Sequence, residues 1–317
     1  MKIGFNTDGL GFQPFEQMLK TITSLGVKKL ELPMGNWSSA PHVDLDALVS
    51  SKDKRDEYMG KVHAAGAHII ALNCSGNQLA PGAMGEQHED VVRKTYKLAE
   101  AWGIKKVIMM SGLPGGPGDS NPNWITTSWP PITTEILNWQ WNEVAIPYWR
   151  ENIKRAADHG IECIALENHG CQLVYNVESF FRLHDAVGDM VGMNLDPSHL
   201  FWMGGDPIEA ARVLGTSIYH VHAKDVRIER RMATVHGVLD TKTIDKFSDR
   251  SWNYVALGYG HDSLWWKEFL VVVRMSGYDG VVCIEQEDLT MPAMAGVVKA
   301  VDFLKSVMPE CEEDLFE

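Results

Sequence analysis

The chain has 317 residues, 45% hydrophobic and 22% charged, with a formal net charge of −13 at pH 7. These proportions are those of an ordinary globular protein, with room for one large α/β domain or two small ones. The acidic balance argues against a general polyanion binder, because phosphate contacts need clustered Lys and Arg.

The five cysteines, Cys74, Cys163, Cys171, Cys283 and Cys311, are odd in number and form no CxxC pair. Cys74, Cys163 and Cys283 lie in apolar, strand-like runs, which suits buried free thiols and a reducing compartment. Met1 to Asn6 reads directly as a strand, with no signal peptide before it. No apolar run approaches the roughly 18 residues that span a bilayer. The expectation is a cytoplasmic protein with no membrane segment.

A pattern of short apolar strand, polar loop and amphipathic helix then repeats along the chain. Ile3 to Asn6 is the first strand. Phe15 to Leu25 follows as a helix, with Met18, Leu19, Ile22 and Leu25 at helical spacing and Gly26 as its stop. Lys29 to Leu32, with Glu31 inside it, is the second strand. A charged helix spans 53–65 and ends near Gly66. His68 to Asn73 is the third strand, Glu89 to Trp102 a helix closed by Gly103, and Lys106 to Met110 the fourth strand. A helix from Glu143 to His159 stops at Gly160.

Four further strands follow, with helices near 177–187, 207–214 and 263–276, and a last helix from Ala293 to Val307. Eight strand–helix units predict parallel strands with right-handed crossovers, and a single closed (β/α)8 TIM barrel over 1–317. A doubly wound open sheet is the runner-up. Its usual Gly-rich phosphate turn is poorly matched by Thr7-Asp8-Gly9-Leu10-Gly11-Phe12. Two inserts stand out, after the fourth strand (111–142) and after the seventh (227–262). The first carries Trp124, Trp129, Trp139 and Trp141. It suits either a stacking platform over the barrel mouth, with Trp124 as a substrate contact, or plain packing. The acidic tail, 308–317, is expected to be solvated.

The last four barrel strands share one grammar. They read Ile164-Ala165-Leu166-Glu167-Asn168-His169, Val191-Gly192-Met193-Asn194-Leu195-Asp196-Pro197-Ser198-His199, Ile218-Tyr219-His220-Val221-His222-Ala223-Lys224-Asp225 and Val281-Val282-Cys283-Ile284-Glu285-Gln286-Glu287-Asp288. Each apolar run carries Glu167, Asp196, His222 or Glu285 at or near its C-terminal end, and in a barrel those ends converge on one mouth. Three carboxylates and an imidazole at close quarters raise one another's pKa unless a cation compensates them. A mostly oxygen ligand set with one nitrogen suits Mn²⁺, Mg²⁺ or Co²⁺ better than a structural Zn²⁺ site. Mn²⁺ is the leading expectation.

These stretches, together with Ala71-Leu72-Asn73-Cys74-Ser75-Gly76-Asn77 and the Gly277-Tyr278-Asp279-Gly280 turn, resemble the sugar isomerase/epimerase branch of the xylose-isomerase-like TIM barrels, over nearly the whole chain. The resemblance implies that Glu167, Asp196, His222 and Glu285 bind one divalent metal. It also implies that Glu167 and Glu285 double as acid and base, and that His199 touches substrate. Asn73, His169 and Lys224 join the substrate-binding candidates. The family's arginine after the metal-binding histidine is matched less closely by Arg227, which lies near the expected place with Lys224 and Asp225 intervening.

The implied reaction removes a proton next to a carbonyl of a keto-sugar or keto-cyclitol. The resulting enediolate is reprotonated on the opposite face or on the neighbouring carbon. If a leaving group lies β to that carbanion, the same intermediate expels it, and the enzyme is a lyase, a dehydratase or a deglycosidase acting on a 3-keto-glycoside. His169 and His261 are candidate extra acids for that outcome.

An endonuclease IV-type DNA repair enzyme shares the barrel but needs added histidines on the third and fourth strands, which end Leu72-Asn73-Cys74 and Met110-Ser111-Gly112. A non-catalytic binding module would lack a metal-site carboxylate. The expected partners are a small carbohydrate and further copies of the chain, with a different subunit left open, and no nucleic acid.

Overall fold

The computed structural model describes residues 1–309; Glu310–Glu317, and with them most of the acidic tail and Cys311, lie outside the described residues. Eight parallel strands close into a barrel: β1 (Lys2–Asn6), β2 (Lys29–Pro33), β3 (His68–Asn73), β4 (Lys106–Met109), β5 (Cys163–Glu167), β6 (Val191–Leu195), β7 (Ile218–Ala223) and the final strand β10 (Val281–Ile284). Around the barrel they run in the order β1, β10, β7, β6, β5, β4, β3, β2. Closure excludes the open doubly wound sheet. Between β7 and β10 an antiparallel hairpin, β8 (Asp225–Ile228) and β9 (Trp252–Val255), pairs Val226 with Tyr254.

The strands are apolar on both faces because the helices cover their outer side and packed side chains fill the interior. Two compact units can be distinguished. Of the described residues, one comprises Met1–Glu31, Gly60–Ile69 and those from Asn194 onward; the other comprises Leu32–Met59 and Ile70–Met193. In the first, β1 lies against β10 with Gly4 opposite Cys283, and β10 lies against β7 with Cys283 opposite His222. A side chain at Gly4 would meet Val281 Cγ1 at 2.5 Å, so this close strand contact needs glycine. Trp266, Phe269 and Leu270 of helix Ser263–Met275 are buried in the same unit. In the second unit β4 pairs with β5, Met109 opposite Leu166, and helix Ala83–Trp102 buries Val92, Tyr96 and Leu98.

The helices 177–187, 207–214 and 293–307 fall where periodicity puts them. Gly26, Gly66, Gly103 and Gly160 hold φ of 81°, 68°, 68° and 70°, the left-handed conformation that ends a helix at little cost to glycine. Three local differences follow from chemistry that hydrophobic spacing does not carry. The helix expected from Glu89 starts earlier, at Ala83, after Gly82 at φ 68°. The 111–142 insert is not all loop: Ile132–Trp139 is helical and passes through a wide π-type turn, Gln140–Ala145, into helix Ile146–Asp158. The second insert holds β8, β9 and a short helix, Arg230–His236. Among the described residues no helix is long and apolar enough to cross a membrane. The described cysteines are free thiols, and burial pushes Cys74 up to about 12.

Candidate metal centre

Local sequence fixes each candidate ligand at a strand's end. Glu167 is the last residue of β5 and is buried. Asp196 follows β6 and caps helix Pro197–Met203: one carboxylate oxygen accepts the Ser198 N–H at 2.8 Å, and Pro197 starts the helix without needing a donor. The other oxygen faces His199 Nε2 at 3.2 Å, one turn along that helix. On β7 the two-residue period puts His220 and His222 on one face. Glu285 follows β10, its N–H donating to the Ala223 carbonyl at 3.2 Å.

The centre is compact. His222 Nδ1 lies 3.2 Å from Glu285 Oε2 and 4.0 Å from Asp196 Oδ2. Lys224 Nζ lies 3.0 Å from Glu285, 3.0 Å from Glu287 and 3.9 Å from Asp196, and 4.4 Å from the centre of the Tyr254 ring. Glu167, Asp196, His222 and Glu285 each offer one ligand atom, and these atoms all lie within 4.8 Å of one another. Burial raises the Glu285 carboxyl, but Lys224 and His222 outweigh it and hold it at about 2. Burial likewise works against ionised Asp196, yet His199, Lys224 and His222 leave its pKa well below the carboxylate range. Both carboxylates are therefore ready as anionic oxygen donors at neutral pH.

Beneath this layer lies a second one. Glu31, in the middle of β2 and fully buried, accepts from Asn6 Nδ2 at 3.0 Å. It also faces His220 Nε2 and His222 Nε2, each at 3.0 Å. Burial raises its carboxyl, but the two histidines draw it well below the usual range. A carboxylate on Nε2 fixes the His222 ring and makes it a better base, with Nδ1 turned toward Asp196 and Glu285. Spacing alone did not single out Glu31 or His220. Their signals were a lone acid inside an apolar strand and the His-x-His alternation. Tyr254 was also missed. It comes from the hairpin insert, and its hydroxyl lies 3.3 Å from His199 Nδ1.

The other candidates are distributed as follows. His169 turns Nδ1 to the carbonyl of the next residue, Gly170, and it offers a ligand atom within 4.8 Å of those of Glu167 and His199. The Asn73 side-chain oxygen accepts the Ser75 N–H at 2.8 Å and so shapes its own loop. Arg227, on β8, donates twice to Glu229, at 2.9 and 2.7 Å. Trp124 stands edge-on to Tyr175 and lines a cavity of about 160 Å³ with Trp141 and Leu173. Trp141 and Trp149 are buried packing residues, and Trp129 is exposed. His261 is paired with Asp225 at 2.8 Å, and its ring is stacked on Phe201 at 3.7 Å.

The sequence model of the xylose isomerase-like TIM barrel matches residues 19–307, and the chain belongs to that family. It is 54% identical to the uncharacterized protein YfiH of Bacillus subtilis (strain 168), over 98% of this chain and 100% of that one. Among solved structures it is similar to the probable 3-DHS dehydratase AsbF from Bacillus anthracis (TM-score 0.67, 17% identity, 96% of this chain and 99% of that one). It is also similar to the IOLI protein with a binding zinc atom (0.65, 19%, 98% and 100%) and to an L-ribulose 3-epimerase (0.63, 16%, 97% and 95%). At these identities the structural likeness concerns the fold.

Proposed function

We propose that the chain is a divalent-metal-dependent isomerase or epimerase that moves a proton next to a carbonyl of a keto-sugar or keto-cyclitol. The observation that carries this reading is the convergence of Glu167, Asp196, His222 and Glu285, whose ligand atoms lie within 4.8 Å of one another. The donor chemistry fits a cation: oxygens from three carboxylates and one imidazole nitrogen suit Mn²⁺, with Mg²⁺ and Co²⁺ as alternatives. The IOLI protein, similar in fold, is described with zinc. The chemistry a bound divalent cation supplies is polarisation of a carbonyl and a lowered pKa at the adjacent C–H.

The chain's own residues supply the rest. Glu167 and Glu285 are the acid–base pair, one removing the proton and the other returning one. Lys224 keeps Glu285 ionised in the resting arrangement, and it has a second role as donor to a substrate oxygen. When it turns to that oxygen, Glu285 regains the basicity that the 3.0 Å contact suppresses. His199, with Nε2 on Asp196 and Nδ1 on the Tyr254 hydroxyl, reaches a substrate hydroxyl only by exchanging the Tyr254 contact for it. Elimination from the same enediolate is the second reading. It is favoured by the cavity beside Tyr254 and Glu287, which leaves room for a leaving group, and it agrees with the dehydratase among the proteins of similar fold.

The test is proton exchange. In D₂O with Mn²⁺, keto-sugars and keto-cyclitols should gain deuterium at the carbon next to the carbonyl, with altered stereochemistry at unchanged composition. Glu285→Gln should lower that exchange by roughly 10²–10⁴-fold with the fold retained. Exchange that survives in Glu285→Gln contradicts the assignment, and release of a fragment selects the lyase.

A further inference from the structure

We propose that the cavity formed by the hairpin insert and the segment after β10 binds an organic carboxylate with an apolar body, anchored on Arg250. The cavity has a volume of about 340 Å³ and is lined by Arg250, Tyr254, Glu287, Ile244, Phe247 and Leu289 among others. Arg250 is 3% exposed. Its Nε donates to the Trp252 carbonyl at 3.1 Å and its Nη1 to the Lys242 carbonyl, and its guanidinium lies 4.5 Å from the Trp252 ring centre. Among the described residues no carboxylate pairs with it. A buried cation is normally matched by an anion. Here two carbonyls and an indole face hold the guanidinium rigid, and it lines an open cavity without a counter-charge. The nearby acids are engaged elsewhere: Glu287 with Lys224, Glu229 with Arg227 and Asn253, and Asp240 with Lys242.

The rest of the lining sets the ligand's other half. Ile244, Phe247 and Leu289 are 56%, 44% and 51% exposed, an apolar rim that gains from being covered. Arg250 therefore fits a carboxylate, and the rim fits an aromatic or aliphatic body behind it. The cavity shares neighbours with the candidate metal centre. Gln286 and Glu287 follow Glu285 in the chain, and the Tyr254 ring that lines it also lies under Lys224. Resting on the reading above, the ligand is the remote part of the substrate, and in an elimination it is the leaving group.

Binding tests this without turnover, so its failure is separable from failure of the proton-exchange reading. The full chain, stripped of metal by chelator, is titrated calorimetrically with benzoate, with its neutral analogue benzamide and with inorganic phosphate. Benzoate should bind saturably, at least tenfold tighter than either control. Arg250→Gln should abolish that preference. Because Arg250 also braces the hairpin, Leu289→Glu provides a second variant at an exposed rim position, and it should weaken benzoate at least fivefold with an unchanged circular dichroism spectrum. Benzoate binding no tighter than benzamide, or binding unaffected in both variants, overturns the proposal. Phosphate binding as tight as benzoate also overturns it, since the site would then read charge alone.

Discussion

Glu31 illustrates how a residue far in sequence can tune a centre it does not enter. It sits 3.0 Å from His222 Nε2 and fixes which ring nitrogen faces Asp196 and Glu285. Replacing such a carboxylate partner commonly costs about 10–100-fold in metal affinity. Glu31→Gln should therefore weaken Mn²⁺ binding by that factor, read by competition with a chromogenic chelator, while Lys52→Gln on the exposed surface leaves it unchanged. Equal affinity in Glu31→Gln would mean that His222 is oriented by its neighbours alone. The candidate ligands themselves were legible because each breaks an apolar run at a strand's end, where convergence is a property of the fold. Glu31 and His220 were not, because their pairing spans 189 residues and nothing in either local stretch specifies the other.

At the scale of elements, helices were legible where an apolar stripe and a terminating glycine agreed, as at Phe15–Ser24 before Gly26. The hairpin was not. Four-residue strands carry too little alternation, and β8 is set by contacts made far along the chain. Asp225 shows how. Buried at the start of β8, it accepts the N–H groups of Gly258, Gly260 and His261 at 3.0–3.1 Å and the His261 ring at 2.8 Å. Gly258, at φ 86° with Phe303 2.5 Å from where a side chain would begin, keeps that loop against the last helix. Asp225→Ala strands several buried donors, and should cost about 2–4 kcal/mol of stability by urea unfolding. His261→Ala removes one ring contact and should cost about 1 kcal/mol. A smaller loss in Asp225→Ala than in His261→Ala would contradict the pinning role.

For the whole molecule, the barrel was readable because eight β–α repeats leave little topological choice. Solved structures only 16–19% identical to the chain are similar to it in fold. The family was readable too, while the reaction stays a proposal, since a barrel mouth fixes where ligands gather and the inserts shape what enters. Those inserts were opaque for a physical reason: Arg250 and Tyr254 come from the hairpin insert and Leu289 from the segment after β10, and only folding brings the two to one cavity.

The central claim, that four strand ends share one cation, is tested most directly by a crystal structure of the Mn²⁺-loaded protein with anomalous diffraction at the manganese edge. The account predicts one strong peak ligated by Glu167, Asp196, Glu285 and His222, the last through Nδ1. A peak ligated instead by Glu31, His220 and Cys283, which also offer ligand atoms within 4.8 Å of one another, would contradict it. So would a peak missing any two of the four predicted ligands.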